Sequence, residues 1–429
     1  MNTQLSHAET QSTRSPRQSD SRKIVSALSI CMALQMTSFV MILPLFARRF
    51  TELGAGVEAL SFSAMAYALT SAIAAPFMGA LSDRFGRRPL VLVSLAAYIL
   101  AFIGYLFAPS AQSIIYLRGM AGAFTAGLVP AVIGIVADLA PVNRKAQWIG
   151  IVNGGASIGW IVGPVLGGTL YDHWGYEVSL IVSIMMAITT FITALLTLRN
   201  VRETSISRLD IHSNSGRTAL LKAFCASLPD SLSSFSVLLG ISFTVLFAWA
   251  FIEPRFMFYA YDSLEWNSST LGLMMSTYGI AMMLGEFTLS RLSDRIGRKP
   301  VILIGLLMFS AQFIGLAFSR DDLLIAAAFI IAGFGNALYD PALSAYILDI
   351  TPIKYHGQIL GIKSMAGSLG SILGPALVVL FTEILSAQGI FMIAMGAVLL
   401  ITFVFLFTRP KLQSKRTGQV SAAINIRTE

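Results

Sequence analysis

Six ionisable side chains stand inside long apolar runs: Arg118, Glu253, Arg255, Glu286, Asp340 and Lys363. Each costs at least ~2.5–3.5 kcal/mol on insertion scales, so it must face a watery cavity or another charge. Burial favours the neutral form of a carboxyl group, and a neighbouring cation favours the charged form. A carboxylate held between these influences can take up and release a proton. Asp340, Glu286 and Glu253 are therefore the candidate proton carriers. Asp340 precedes Pro341, where a helix loses a backbone donor, and this favours it among the three. Glu253 and Arg255 flank Pro254. Residues two apart do not share a helix face, but the proline can distort the helix. The pair either lines the mouth of a cavity or sits at the membrane interface. Lys363 is near one end of its run and is expected to snorkel to water. Arg118, Arg255, Tyr67, Tyr278 and Asp340 are the candidate cavity-lining residues.

The runs themselves define the class. Hydrophobic residues make up 55% of the 429 and charged ones 12%, against about 25% charged in a soluble domain. A spanning helix needs roughly 20 mostly apolar residues. Twelve stretches qualify: 24–47, 59–81, 89–108, 112–138, 146–170, 177–198, 235–260, 270–290, 300–318, 323–349, 356–382 and 387–408. Lipid offers the backbone no partners, so each must be a helix. The expected fold is an all-α membrane protein. Its parts are a polar tail (1–23), a six-helix bundle (24–198), a polar linker (199–234), a second six-helix bundle (235–408) and a second tail (409–429).

Basic residues set the orientation. One set of loops holds Arg84, Arg87, Arg88, Arg144, Lys145, Arg291, Arg295, Arg298, Lys299 and Lys354, and both tails and the linker lie on that side. The opposite loops hold Arg48, Arg49 and Arg320. Both termini are thus expected in the cytoplasm. The net charge of +8 sits in these short loops, which argues against nucleic acid as a partner. The first 23 residues lack the apolar core of a signal peptide. Two cysteines, Cys31 and Cys225, and four scattered histidines show no metal-ligand spacing. There is no G-x-x-x-x-G-K-[ST] loop for ATP, no H-E-x-x-H and no G-x-S-x-G. An enzyme is not expected, and neither a metal nor a cofactor is implied.

A charged turn occurs twice, as GALSDRFGRRPLVL at 79–92 and SRLSDRIGRKPVIL at 290–303. Asp83 and Asp294 are 211 residues apart, and the same separation pairs Tyr67 with Tyr278, Asp138 with Asp349, Gln147 with Gln358 and Gly163–Pro164 with Gly374–Pro375. Shared composition aligns Leu with Val; it does not align Asp, Arg, Pro and Gln in register. One separation held from the second span to the fifth means two homologous halves. With six spans each, they share one orientation and relate by an axis along the membrane normal.

Gly79, Leu81, Asp83, Arg84, Gly86, Arg87 and Arg88 resemble the loop signature of the major facilitator superfamily, with Ser290 replacing the leading glycine in the second copy. GWIVGPVLGG at 159–168 is similar to the glycine–proline motif of its drug:proton antiporters, and Arg118 with Gly122 resembles the fourth-helix arginine motif of proton-coupled members. The resemblance covers all twelve spans. It implies a monomeric carrier of the bacterial inner membrane that exports lipophilic compounds against protons by alternating access, with the proton gradient as energy source. Other cargoes on the same scaffold are an anionic metabolite, a siderophore or a lipid. A receptor belongs to a different class and needs none of these signatures. The resemblance makes Gly79, Asp83, Arg84, Gly86, Arg87 and Asp138 a gating latch, with Asp294, Arg298 and Asp349 as its copy. It gives Arg118 a part in proton coupling. Gly155, Gly159, Gly163 and Gly167, four apart, form a smooth stripe beside Pro164 and Gly168. That stripe either packs helices closely or forms a seam that bends as the halves rock.

Overall fold

The computed structural model describes residues 18–141, 144–199, 232–289, 292–351, 355–382 and 384–408. Most of both expected tails and of the linker lies outside the described residues, as do Lys354 and the side chain of Asp83.

All regular elements among the described residues are helices. Span 1 is α1 (Gln18–Ile42) continued by α2 (Leu45–Glu52), and span 2 is α3 (Val57–Phe85). Span 3 is α4 (Arg87–Leu106); span 4 is α5 (Ala111–Thr125) with α6 (Leu128–Leu139). α7 (Lys145–Leu198) holds spans 5 and 6, which part at Gly175, where φ is 81° and ψ −177°. Span 7 is α8 (Leu232–Asp262); span 8 is α9 (Ser268–Leu289), followed by the short α10 (Leu292–Ile296). Span 9 is α11 (Arg298–Phe309) with α12 (Ala311–Phe318). Spans 10, 11 and 12 are α13 (Asp322–Asp349), α14 (His356–Phe381) and α15 (Ala387–Phe407).

Ten described helical stretches are long and apolar enough to cross a bilayer. One of them, 147–198, is the pair divided at Gly175, and Ser268–Leu289 crosses beside them as the twelfth. Glu286 and several Ser, Thr and Gly residues dilute the apolar character of that span.

The repeat holds in three dimensions. Gly86 and Gly297 make the turns into spans 3 and 9 with φ of 95° and 96°, a region a side chain disfavours. Span 1 packs on span 5 as span 7 packs on span 11, and span 2 on span 4 as span 8 on span 10. The Tyr67 hydroxyl is 3.2 Å from that of Thr125; Tyr278 meets Asn336, 211 residues further on, at 2.5 Å. Gly122 abuts the Tyr67 carbonyl and Gly333 abuts that of Tyr278. The chain is therefore two pseudo-symmetric bundles of six spans. Each has a buried aromatic core: Phe46, Phe50 and Phe102 in the first; Phe251, Phe256, Phe309 and Phe329 in the second.

The halves meet where span 5 lies on span 8 and span 2 on span 11. We call the end carrying Gly86 and Gly297 the basic end, and the other the far end.

Candidate functional site

The interior charges fall into two levels. Arg118 lies 7 residues into span 4 from its start at Ala111, and Glu253 lies 9 residues before the end of span 7 at Asp262. At 1.5 Å per residue both are about 10–14 Å from the far end. They belong to opposite halves and lie within electrostatic range of each other. Arg118 is 7% exposed. Its guanidinium stands over the rings of Tyr67, Phe46 and Phe39 at 4.7, 5.3 and 5.8 Å. Aromatic faces attract a cation most strongly when water is excluded, so the cage holds an unsolvated arginine. A small cavity beside it is lined by Ile42, Tyr98, Phe102 and Tyr105. The Arg118 Nε is buried without a hydrogen-bond partner, and so is that of Arg255.

The second level is nearer the basic end and lies within the second half. The Lys363 ammonium donates to Asp340 Oδ1 at 2.6 Å and to Ser344 Oγ at 2.7 Å. Its side chain is 15% exposed and that of Asp340 is 50% exposed. The expectation that Lys363 snorkels to water is therefore corrected. Asp340 and Ser344 are one turn apart on span 10, and together they capture the ammonium before it reaches the interface. Glu286 is exposed and within electrostatic range of Asp340. Tyr278 stacks on Trp249 and bonds Asn336 above this group.

These charges interrupt the repeat. Shifted by 211 residues, Arg118 falls on Phe329, Glu253 on Ile42, Glu286 on Ala75, Asp340 on Val129 and Lys363 on Val152. The scaffold is duplicated and its interior charge is not.

The charged turns close within each bundle. Arg87 pairs with Asp138. Arg298 bonds Asp294 at 2.5 Å, Asp349 at 3.2 Å and Ser293 at 2.7 Å. Arg84 lies over the Phe85 ring. Among the described residues, no atom of another helix lies within 4 Å of where a Cβ would stand on Gly79, Gly150, Gly154 or Gly361. The basic end is thus open between the halves.

The far end is shut. Gly168 abuts the Ser268 backbone, Gly272 that of Pro164, and Gly279 the side chain of Ile161. The Tyr261 hydroxyl donates to the Pro44 carbonyl at 3.2 Å, and Arg48 lies over the Tyr261 ring. The glycine stripe packs closely against span 1, and the glycine beside it against span 8. Gly155, Gly159, Gly163 and Gly167 meet span 1 at Ser29, Met36, Val40 and Met41, while Gly168 meets span 8. Sequence reading missed Asp172, which bonds the start of span 8. The one available signal was an acidic residue four positions after Gly168, one turn beyond the glycine pair at 167–168.

Twelve spans in two like bundles, open at one end around interior charges, define a membrane carrier. The sequence matches the Major Facilitator Superfamily over residues 28–258 and again over 231–427, and the chain belongs to that family. It is 28% identical over 343 residues to a multi-drug resistance efflux pump PmrA homolog of Lactococcus lactis, covering 78% of this chain and 81% of that one. It is 25% identical over 349 residues to the class G tetracycline resistance protein of Vibrio anguillarum, covering 80% and 86%. Among solved structures, a bacterial homolog of the human lysosomal transporter Spinster, inward-facing and unoccupied, superposes with a TM-score of 0.72 at 14% identity, covering 92% of this chain and all of that one.

Proposed function

We propose that this chain exports lipophilic compounds, cations foremost, from the cytoplasm in exchange for protons. The basic end faces the cytoplasm, as the concentration of Arg and Lys there requires, so both termini are cytoplasmic and the open mouth faces inward. The membrane is the inner membrane of a bacterium, and one chain suffices for the cycle. The observation that carries this reading is that Glu253 is within electrostatic range of Arg118 of the opposite half, with Glu286 near the Asp340–Lys363 pair at the second level. Acidic groups there attract a cationic substrate or a proton in turn, and a proton arriving from the far side displaces the substrate. The names of the efflux relatives support the same assignment.

The cycle uses parts already described. Closure at the basic end brings the Asp138 and Asp349 turns into a shut gate, while the far end parts at Gly168 and Gly272. The Arg118 cage spans the level at which the far gate opens, and its charge keeps Glu253 responsive to protons.

A second reading is favoured by the unpartnered Nε atoms of Arg118 and Arg255. Two arginine donors free at one level suit a carboxylate-bearing cargo. Everted vesicles given an imposed pH gradient and a panel of lipophilic cations, neutral antibiotics and organic anions test both. Gradient-driven uptake of cations supports the first reading and uptake of anions the second. No gradient-driven uptake of any panel member rules out antiport.

A further inference from the structure

Three carboxylates lie in the interior, and two of them have a cation. Lys363 holds Asp340 at 2.6 Å, and Arg118 is within electrostatic range of Glu253. Glu286 makes no ion pair among the described residues, and the charge in its range is another carboxylate, Asp340.

Its position on span 8 gives that solitude a meaning. Gly272 and Gly279 face span 5 and shut the far part of the seam against Pro164 and Ile161. Glu286 is 7 residues beyond Gly279, and a heptad drifts by only about 20° around a straight helix. Glu286 therefore continues the same line toward the basic end. The exposed apolar residues Leu273, Ile280 and Phe287 each follow one of these three positions and so lie about 100° further around the helix, toward lipid. Across the seam, Gly150 and Gly154 stand clear of every other helix among the described residues. They leave room for span 8 to approach backbone to backbone, as it already does at Gly168 and Gly272.

Closing the basic end lays Glu286 against that bare stretch of span 5. Span 5 offers no ionisable group from Gln147 to Leu170, only Lys145 at its tip; span 7 offers none from Leu232 to Ile252. Toward the basic end span 10 offers Tyr339, Tyr346, and Asp340 and Asp349, which are already bound to Lys363 and Arg298; span 8 itself offers Tyr278, and α10 carries Asp294 and Arg295 beyond it. An unpaired carboxylate sealed into such a seam is strongly disfavoured, while its neutral form is tolerated.

We propose that Glu286 is the gate carboxylate of the basic end: the seam closes over it only when a proton, or a cationic substrate beside it, cancels its charge. In the antiport cycle a proton from the far side takes the departing cation's place on a Glu286 carboxylate oxygen, and it leaves to the water of the mouth when the seam parts. An empty, ionised carrier is thereby kept from closing, which prevents futile cycling. This inference rests on the antiport reading and assigns it a gating residue.

The test places spin labels at Lys145 and Ile296, both exposed at the basic end, in protein lacking Cys31 and Cys225, reconstituted in lipid. Distances are read from about pH 5 to about pH 9. Wild type gains the short, closed distance as pH falls, by up to about tenfold in the open–closed ratio per pH unit for one group. Glu286→Gln shows the low-pH distribution throughout, and Glu286→Asp restores the response. A wild-type response retained in Glu286→Gln, or absent from wild type, overturns the proposal. Gradient-driven uptake of a lipophilic cation is measured in parallel. Uptake intact in wild type with closure indifferent to Glu286 refutes the gate alone. Closure that follows Glu286 without any gradient-driven uptake refutes antiport and leaves the gate standing.

Discussion

The Asp172 carboxylate at the end of span 5 accepts hydrogen bonds from the backbone N–H groups of Ser268 and Ser269, at 3.1 and 2.7 Å, and from the Ser269 hydroxyl at 2.6 Å. An acidic group of one half thereby caps the first turn of a 22-residue helix of the other. Unsatisfied N–H groups and the helix dipole both favour negative charge at that place.

Removing this cap loosens the far gate. A capping carboxylate is worth about 1 kcal/mol, or roughly fivefold in an equilibrium. Asp172→Ala should raise the far-end-open fraction by about that factor while leaving thermal stability nearly unchanged. Distance measurements between labels at Trp174 and Leu323, both exposed at the far end, read the shift; identical distributions in both proteins would remove Asp172 from the gate.

The Asp340–Lys363 pair should behave as a unit. Asp340→Asn alone leaves a nearly buried ammonium with Ser344 as its remaining partner, and Lys363→Met alone leaves an uncompensated carboxylate. Because Asp340 is half exposed, each single change should cost less than the ~3–5 kcal/mol of a fully buried pair. The double variant should recover most of the loss in Tm. Additive losses in a double-mutant cycle would show that the two do not interact.

Two sets of glycines should separate stability from motion. Gly167→Val drives a side chain into the Met41 carbonyl and should prevent folding. Gly79→Leu and Gly361→Leu meet open space here. They should fold with wild-type Tm but transport slowly, since closing the basic end removes that space. Wild-type transport rates in the latter pair would mean that the gate closes elsewhere.

Arg118→Lys keeps the charge but loses the planar group that stacks on Tyr67, Phe46 and Phe39. It should reduce gradient-driven uptake about tenfold, with Arg118→Ala lower still, while substrate exchange without a gradient survives. Equal loss of exchange and driven uptake would instead make Arg118 a substrate contact.

The architecture was legible because its signals are local and repeated. Asp83 and Asp294, Gly86 and Gly297, and the paired Gly-Pro steps keep one separation, and the turns they mark fold alike. What the sequence could not reveal is how the spans are rotated toward one another. Lys363 reads as a snorkelling residue until span 10 turns Asp340 and Ser344 toward it. Gly168 reads as part of the stripe at 155–167, yet one residue further around the helix places it against the other half. Asp172 looks like an ordinary interfacial carboxylate until the start of span 8 arrives from nearly a hundred positions away.

The six interior ionisable residues comprise three acids and three bases: Glu253, Glu286 and Asp340 against Arg118, Arg255 and Lys363. With all of them ionised the inner set sums to zero, so the empty carrier's interior carries no net charge. Binding one proton or one monovalent cation makes the moving body singly positive. The membrane potential then bears on the two loaded steps alone, with a leverage of about 2.3 kcal/mol per charge for every 100 mV: it favours the inward proton step and opposes the outward cation step equally, so a one-for-one exchange of monovalent cations is voltage-neutral, whereas a neutral cargo leaves the field as a second drive.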